Sequence, residues 1–485
     1  MKEKKDSQKN LIKYWLGILS GPLCFILILL LPFEGMDRSA LLALGTFAWT
    51  IGWIMGGVIP WFVSCLIPAI LLPLFNIMKL GEVASTVYGN SIFFLVVAVF
   101  LLGRAIDKHG LGKRLALSIL SSKWIDGRIS RFLLIFMIFG AFSAPLMMSG
   151  TLFIMFSIGL STRTYIVEEC REKGIAINER NLKNSIGLAM LYSVTCGSML
   201  SIPGIAQNSV NIGLLEQLNG LTVNYLQWFI SSMFVVIPLL IVFYIIIRMM
   251  NKVGVDKVFT DPDFFSKQKE ELGKMSRDEW AVLIIFVLLI AMWIIPCFVK
   301  IPFMNIYWVA ILGVILCYLV PSKKEKGALL DEKDLKTLDW NIIMLVNVGL
   351  GMSTVLTNTG VIDYIAQGLT GISGAGILAI GSIGCAVITN LMSGLAADIT
   401  ILNVILPIVE TTWVHPVALI KIVAGTSIGF LFPWAGSIPA LAFAASNMEI
   451  KDMAKTGIVA TIALIVIIVA GNLLLTQFFH FYSAV

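Results

Sequence analysis

Two short runs place the residues best able to do chemistry inside an otherwise apolar chain. Ser149-Gly150-Thr151 and Ser393-Gly394-Leu395 each set a hydroxyl side chain beside a glycine in the middle of a hydrophobic stretch. Pro145 and Gly150 interrupt the first stretch, SAPLMMSGTLF, and Gly394 interrupts the second, TNLMSGLAADIT. In hydrocarbon every backbone polar group needs a partner, so such breaks are tolerated only against protein or a water-filled cavity. A hairpin broken there leaves two half-helix ends pointing at one spot. N-terminal ends present N–H groups to an anion, whereas C-terminal ends and unwound carbonyls suit a cation. Ser149, Thr151, Thr389, Asn390 and Ser393 add side-chain donors and oxygens. The competing reading is close helix packing through small residues.

A second pair of breaks has the same character. CGSMLSIPGIAQNSVNIG (196–213) and AGTSIGFLFPWAGSIPALAFAAS (424–446) each carry Gly and Pro inside a segment long enough to span, so each is expected to unwind at mid-depth. Asn208 is the polar side chain expected to face the first cavity; Thr426, Ser427 and Ser437 are the candidates in the second, beside Pro439. Simple proline kinks at Pro203 and Pro439 are the alternative. Asp398 stands out as the carboxylate in the apolar run ADITILNVILPI. An intramembrane acid is costly to bury and points to function, as a proton carrier or a cation ligand. The alternative is a structural pair with Lys421, or with Asn403 and Thr400.

The elements that position these residues form two related sets. Residues 91–116 align without gaps on 341–366, matching Ile92, Leu95, Val96, Gly110 and Ala116 with residues 250 positions later. After each copy comes a segment broken by Ser-Gly and then one broken by Ser-Ile-Pro. Broken segments in corresponding halves point to a transporter binding site built on an inverted repeat. The first copy ends in Arg104, Lys108, Lys113 and Arg114, while no Lys or Arg occurs from 337 to 420, so one copy ends inside and the other outside.

Composition places the chain in the membrane. It is 58% hydrophobic and 13% charged, with a mean hydropathy of +0.92, far outside soluble usage. About 20 apolar residues cross a bilayer, and the pattern predicts an all-α polytopic protein of about eleven spans plus two re-entrant hairpins, near 132–160 and 374–408. The N-terminal apolar run lacks a small-residue cleavage site and reads as an uncleaved first span. With the N-terminus in the cytoplasm and the C-terminus outside, all but four of the 35 Lys and Arg fall on cytoplasmic segments. The exceptions are Arg38, Lys79, Lys300 and Lys421. This asymmetry fits the positive-inside rule and accounts for the net charge of +6 without nucleic acid. Segments 104–131, 161–184, 251–280 and 321–340 are then cytoplasmic connections, and 107–124 and 361–370 are amphipathic arms along the interface. The cysteines have no ligand-like spacing and read as core fillers, with Cys170 in a charged loop. His109 and His415 lie at loop ends and His480 in the tail. No HExxH, phosphate loop, Ser/His pairing or zinc spacing appears, which argues against an enzyme, and no filter motif suggests a channel.

Five regions follow: scaffold helices with an arm (1–125), a transport half with the inner hairpin and first broken helix (126–250), a linker (251–280), second scaffold helices (281–372), and a transport half with the outer hairpin and second broken helix (373–485).

In layout, the order of elements, the arm DKHGLGKRLA and the two Ser-Gly tips resemble the divalent anion:sodium symporter family over nearly the whole chain. The family's tips read Ser-Asn-Thr, with serine and asparagine at sodium sites and asparagine and threonine gripping a carboxylate. Ser149, Thr151 and Ser393 match; Gly150 and Gly394 replace both asparagines, and Leu395 replaces the second threonine. Of the family's Thr-Pro-Pro-Asn segments, Ile205-Ala206-Gln207-Asn208 keeps the asparagine. The resemblance implies elevator-like carriage of a small di- or tricarboxylate or another anion by a homodimer in the inner membrane, in contact with lipids. It implies an anion site at Ser149, Gly150, Thr151, Ser393, Gly394, Asn208, Ser437 and Pro439. Coupling would run through sodium at Ser149, Thr389, Asn390 and Ser393, or through a proton at Asp398. The lost asparagines leave open sodium-independent exchange, proton coupling, and a non-transporting sensor.

Overall fold

The computed structural model describes the chain except residues 1, 90, 148, 258–263, 300, 302, 325–326, 369–370, 391–393, 479–480 and 483–485, and except the side chains of 2–13, 146, 147, 149, 297, 366, 434, 437, 444, 445 and 478. Ser393 and the side chains of Ser149 and Ser437 therefore lie outside the described residues.

The described chain is helical. α1 (Lys2–Leu30) packs along α2 (Arg38–Gly56). They are followed by α3 (Trp61–Leu74), α4 (Ile92–Lys108) and the short α5 (Leu111–Leu120). α6 (Ile129–Met147) and α7 (Ser149–Glu172) form a helical hairpin. Gly140 faces Met155 and Gly159 faces Phe136, which requires the chain to turn back on itself. α8 (Glu179–Ser198) and α9 (Ala206–Asn219) are the halves of a broken helix, and α10 (Tyr225–Met250) closes the first half.

The second half begins with α11 (Arg277–Ile294), α12 (Ile306–Leu319) and α13 (Trp340–Asn358). α14 (Gly374–Thr389) and α15 (Gly394–Ile405) make the second hairpin, with Gly381 facing Ile405. α16 (Pro416–Thr426) and α17 (Ser437–Ser446) are the second broken helix, and α18 (Ile450–Leu473) ends the set.

Among the described residues five unbroken helices are long and apolar enough to cross a membrane, or six if the bent pair Leu80–Tyr88 and α4 counts as one span. α3, α12, α14, α15 and α16 are shorter apolar helices.

The two aligned segments repeat each other locally. Gly110 and Gly360 both adopt positive φ, +74° and +81°, the left-handed conformation that suits glycine beyond a helix end. The His109 amide donates to the Ala105 carbonyl, as Thr359 does to Val355, and the Gly110 amide donates to Asp107, as Gly360 does to Thr357. Each pair is separated by the same 250 residues as the sequence alignment.

Basic and acidic side chains staple one end of the molecule. Arg104 and Lys108 reach Asp334 at 3.0 and 2.8 Å, and Arg114 reaches Glu279 at 2.6 Å. His109 is buried, its Nε2 2.8 Å from the Leu329 carbonyl. Arg180 pairs with Glu449 and Asp452. In the linker the helix Phe264–Glu271 is anchored by Phe265, buried and stacked on Phe132.

Two expectations are corrected. Residues 161–172 continue α7 rather than forming a connection. Cys170 is buried on that helix, not in a loop. Lys421 is buried in the middle of α16.

Candidate functional site between the broken helices

A cavity of about 380 Å³ lies where the broken helices meet the second hairpin. Its volume suits a small metabolite. From the first break it is lined by Ser198 and by Gly204 to Gln207; from the second by Ser427 to Gly429, Gly436 and Pro439. Gly394 and Leu395 face it from the start of α15, and Trp61, Phe100, Thr337 and Asp339 from the remaining helices.

Three helices begin at this cavity: α9 at Ala206, α15 at Gly394 and α17 just after Gly436. The first amides of a helix have no acceptor within it, so backbone donors and the positive ends of three dipoles converge on one space. Two helices end there, α8 at Ser198 and α16 at its cap residue Ser427, bringing carbonyl oxygen. The charged residue among the described lining is Asp339, whose carboxylate caps α13 by accepting from the Asn341 amide at 3.1 Å. Lys and Arg are missing from that lining. An anion here would be held by backbone N–H groups.

Each hairpin is tied to a break just before its tip. Ser201 donates to the Pro145 carbonyl at 3.1 Å, and Thr389 donates to the Ser427 carbonyl at 2.7 Å. Asn390 accepts from the Leu431 amide at 3.2 Å and donates to Ala386 at 2.7 Å. Thr389, Asn390 and Ser427 therefore gather oxygen atoms beside the second break.

The sequence candidates fall into three places. Gly394 and Pro439 line the cavity. Asn208 does not line it: its amide donates to the Ser198 and Ser201 carbonyls at 2.8 and 2.7 Å and so holds the first break together. Thr151 is fully buried without a hydroxyl partner, and Gly150 faces a separate cavity beside Asp107.

Asp398, one turn into α15, is fully buried. Its partner is Asn211 of α9, which donates to Asp398 Oδ1 at 3.1 Å and to the Ile420 carbonyl at 3.0 Å. The expected pairings are not formed. Lys421 turns to α10, where it reaches the Trp228 carbonyl at 3.1 Å, Ser231, and Ser232 at 2.8 Å, with its ammonium 4.7 Å from the Trp228 ring centre. Thr400 donates to its own helix at Ala396.

Sequence reasoning missed Gln207 and Asn211. Gln207 contributes a buried amide to the cavity at the first turn of α9, and its signal was a polar residue immediately after the break. Asn211 had the signal of an amide within an apolar helix.

Residues 12–478 match the profile of the sodium:sulfate symporter transmembrane region. The chain belongs to that symporter family. This is a family of membrane transporters rather than enzymes. The sodium-dependent dicarboxylate transporter SdcS of Staphylococcus saprophyticus is 28% identical across 96% of this chain and 92% of its own. SdcS of Staphylococcus aureus is 27% identical across 94% and 89%. In fold, the chain is similar to the YdaH transporter of Alcanivorax borkumensis, with a TM-score of 0.57 at 13% identity, covering 91% of this chain and 99% of that one. It is also similar to MtrF of Neisseria gonorrhoeae, at 0.56 and 12%, covering 84% and 85%.

Proposed function

We propose that this chain is a secondary carrier that imports C4-dicarboxylates with sodium. The observation that carries the reading is the cavity at three helix N-termini. Its donors suit carboxylates, and its volume suits a small dicarboxylate. Relatives named as sodium-dependent dicarboxylate transporters, aligned over nearly the whole chain, favour the same substrate class.

In this reading Ala206, Gln207, Gly394, Gly436 and the first turn of α17 bind the anion, with Ser149, Gly150, Thr151, Ser393 and Ser437 joining as the hairpins move. Thr389 Oγ1, Asn390 Oδ1 and the Ser427 carbonyl receive a sodium ion, because unwound carbonyls and hydroxyl oxygens at a helix C-terminal end suit a hard cation. Glycine at 150 and 394 leaves the tips to act through their backbones.

α1–α5 and α11–α13 form a scaffold, and the hairpins with the broken helices form the element that moves. Eleven crossings and two re-entrant hairpins, with the N-terminus inside and the C-terminus outside, place the basic segments in the cytoplasm. A homodimer anchors the scaffold.

Uptake of labelled succinate by proteoliposomes under separate sodium, proton and counter-substrate gradients tests the reading. Sodium-driven accumulation is expected. Accumulation driven by internal dicarboxylate alone identifies an exchanger. Succinate binding without uptake under any gradient identifies a sensor and overturns the carrier.

A further inference from the structure

We propose that Asp398 and Asn211 form a proton site, in which Asp398 carries a proton on Oδ2 and exchanges it in step with anion binding. The proposal rests on the carrier reading for its coupling role, but the proton site itself stands on the geometry.

Both side chains are fully buried. Asn211 spends its amide hydrogens on Asp398 Oδ1 and on the Ile420 carbonyl. Two acceptor atoms are left without partners, Asp398 Oδ2 and Asn211 Oδ1. An ionised carboxylate with one oxygen unsatisfied is among the most expensive groups to hold in an apolar interior. One proton on Asp398 Oδ2 removes the charge and turns that oxygen into a donor, and Asn211 Oδ1 on the bonded neighbour is the acceptor that lacks one. Acid and amide then satisfy each other. Sodium fits poorly, since it needs several oxygens and the flanking backbone is helical.

Among the described residues the surroundings supply no counter-charge. On α14 the thiol of Cys385 is within electrostatic reach of Asp398. Lys421 on α16 turns away to α10. Glu216, near the far end of α9, meets Tyr307. α13 has no charged residue, and Asp363 on the helix Val361–Gly368 is exposed.

The pair touches three of the helices that bound the cavity, α9, α15 and α16. Asp398 is four residues from Gly394, about 6 Å along the axis at 1.5 Å per residue. Asn211 is five residues from Ala206, and Ile420 belongs to the helix that ends beside Ser427. A negative charge on Asp398 opposes an anion at the start of α15, and a proton removes that opposition. Anion binding therefore favours proton uptake, and by linkage the proton favours the anion. When the anion leaves, Asp398 returns the proton to water and becomes a carboxylate.

Infrared spectroscopy of the full chain in nanodiscs tests the proton directly. A carbonyl stretch of a protonated carboxylic acid is expected near neutral pH, lost in Asp398→Asn and shifted in Asn211→Ala. A spectrum in which Asp398→Asn removes no such band overturns the proposal, whether or not the protein transports. Should Asp398→Asn fail to fold, the Asn211→Ala shift carries the assignment, and an unmoved band counts against it.

Coupling is read in proteoliposomes with a trapped pH dye and a sodium gradient, using fumarate, which is fully ionised at neutral pH. Wild type is expected to acidify the lumen as fumarate enters. Fumarate uptake without acidification overturns the coupling role. No uptake of fumarate or succinate sinks the carrier reading instead, while the infrared result still decides the proton site.

Discussion

A carboxylate oxygen of Asp107, near the end of α4, lies against the backbone of Gly150 at the start of α7, where a Cβ would overlap it. The resemblance to the symporter family implies an asparagine at this tip position, and here Asp107 takes up the space such a side chain would need. The two residues therefore constrain each other. Gly150→Asn is expected to destabilise the protein by about 1–3 kcal/mol, the usual cost of overpacking. Asp107→Ala in the same chain should restore most of that loss. Thermal unfolding in detergent of the two single variants and the double variant measures the coupling, and simple additivity would show that the contact does not matter.

Gln207 is the amide side chain that lines the described cavity, at the first turn of α9. A hydrogen bond from a neutral donor to a charged ligand is worth about 1.5–3 kcal/mol. Gln207→Ala should therefore weaken succinate binding roughly 10- to 100-fold with little change in melting temperature. Isothermal titration on the purified protein checks this. Unchanged affinity would remove Gln207 from the site.

The breaks, the turns at Gly110 and Gly360 and the burial of Asp398 were legible because they are local. Gly110 and Gly360, and the Gly and Pro at each break, impose their conformations wherever they occur. Partners were not legible. Asn211 and Asp398 are 187 residues apart in sequence, and nothing in either run names the other. Asn208 looked like a ligand because it is polar beside a break, yet the freed carbonyls of Ser198 and Ser201 claim its donors first. Lys421 stood as an exception to the cytoplasmic placement of basic residues and as a candidate partner of Asp398. Only the packing of α16 on α10 shows that Ser231, Ser232 and Trp228 receive it.

At the stapled end, Asp334 is 3% exposed and Lys108 8%. Burial alone would raise the Asp334 carboxyl, but hydrogen bonds from Lys108, the Asp331 amide and Arg104 outweigh it and hold the group below the usual carboxylate range. A lowered carboxyl contributes stability that is complete above its unfolded value, about 3.9, and is lost as pH falls through the lower folded value. Asp334→Asn removes the charge-assisted bonds from Arg104 and Lys108 while Lys108 keeps Asp331 at 3.3 Å, and should cost about 1.5–3 kcal/mol at neutral pH. The gap between variant and wild type should persist down to about pH 4 and close below it. Melting curves across that range decide the matter, and a gap independent of pH would assign the loss to packing instead.

Gly394 sits so close to the Ser427 carbonyl that a Cβ would overlap it, with the Thr389 hydroxyl also beside it. The same carbonyl accepts from Thr389 at 2.7 Å. The start of α15 can therefore reach the second break only because residue 394 has no side chain, and this approach brings its first amide to the cavity. Gly394→Ala should leave membrane insertion intact, lower the melting temperature by the few degrees that about 1–3 kcal/mol of overpacking implies, and reduce succinate uptake at least 10-fold by displacing that amide. Gly150→Ala should reduce uptake less, because Gly150 faces the separate cavity beside Asp107 rather than the site between the broken helices. Parallel uptake assays at matched protein levels give the ranking. Equal losses in the two variants would mean that the hairpins contribute alike to binding, and that the anion is not held mainly at the second one.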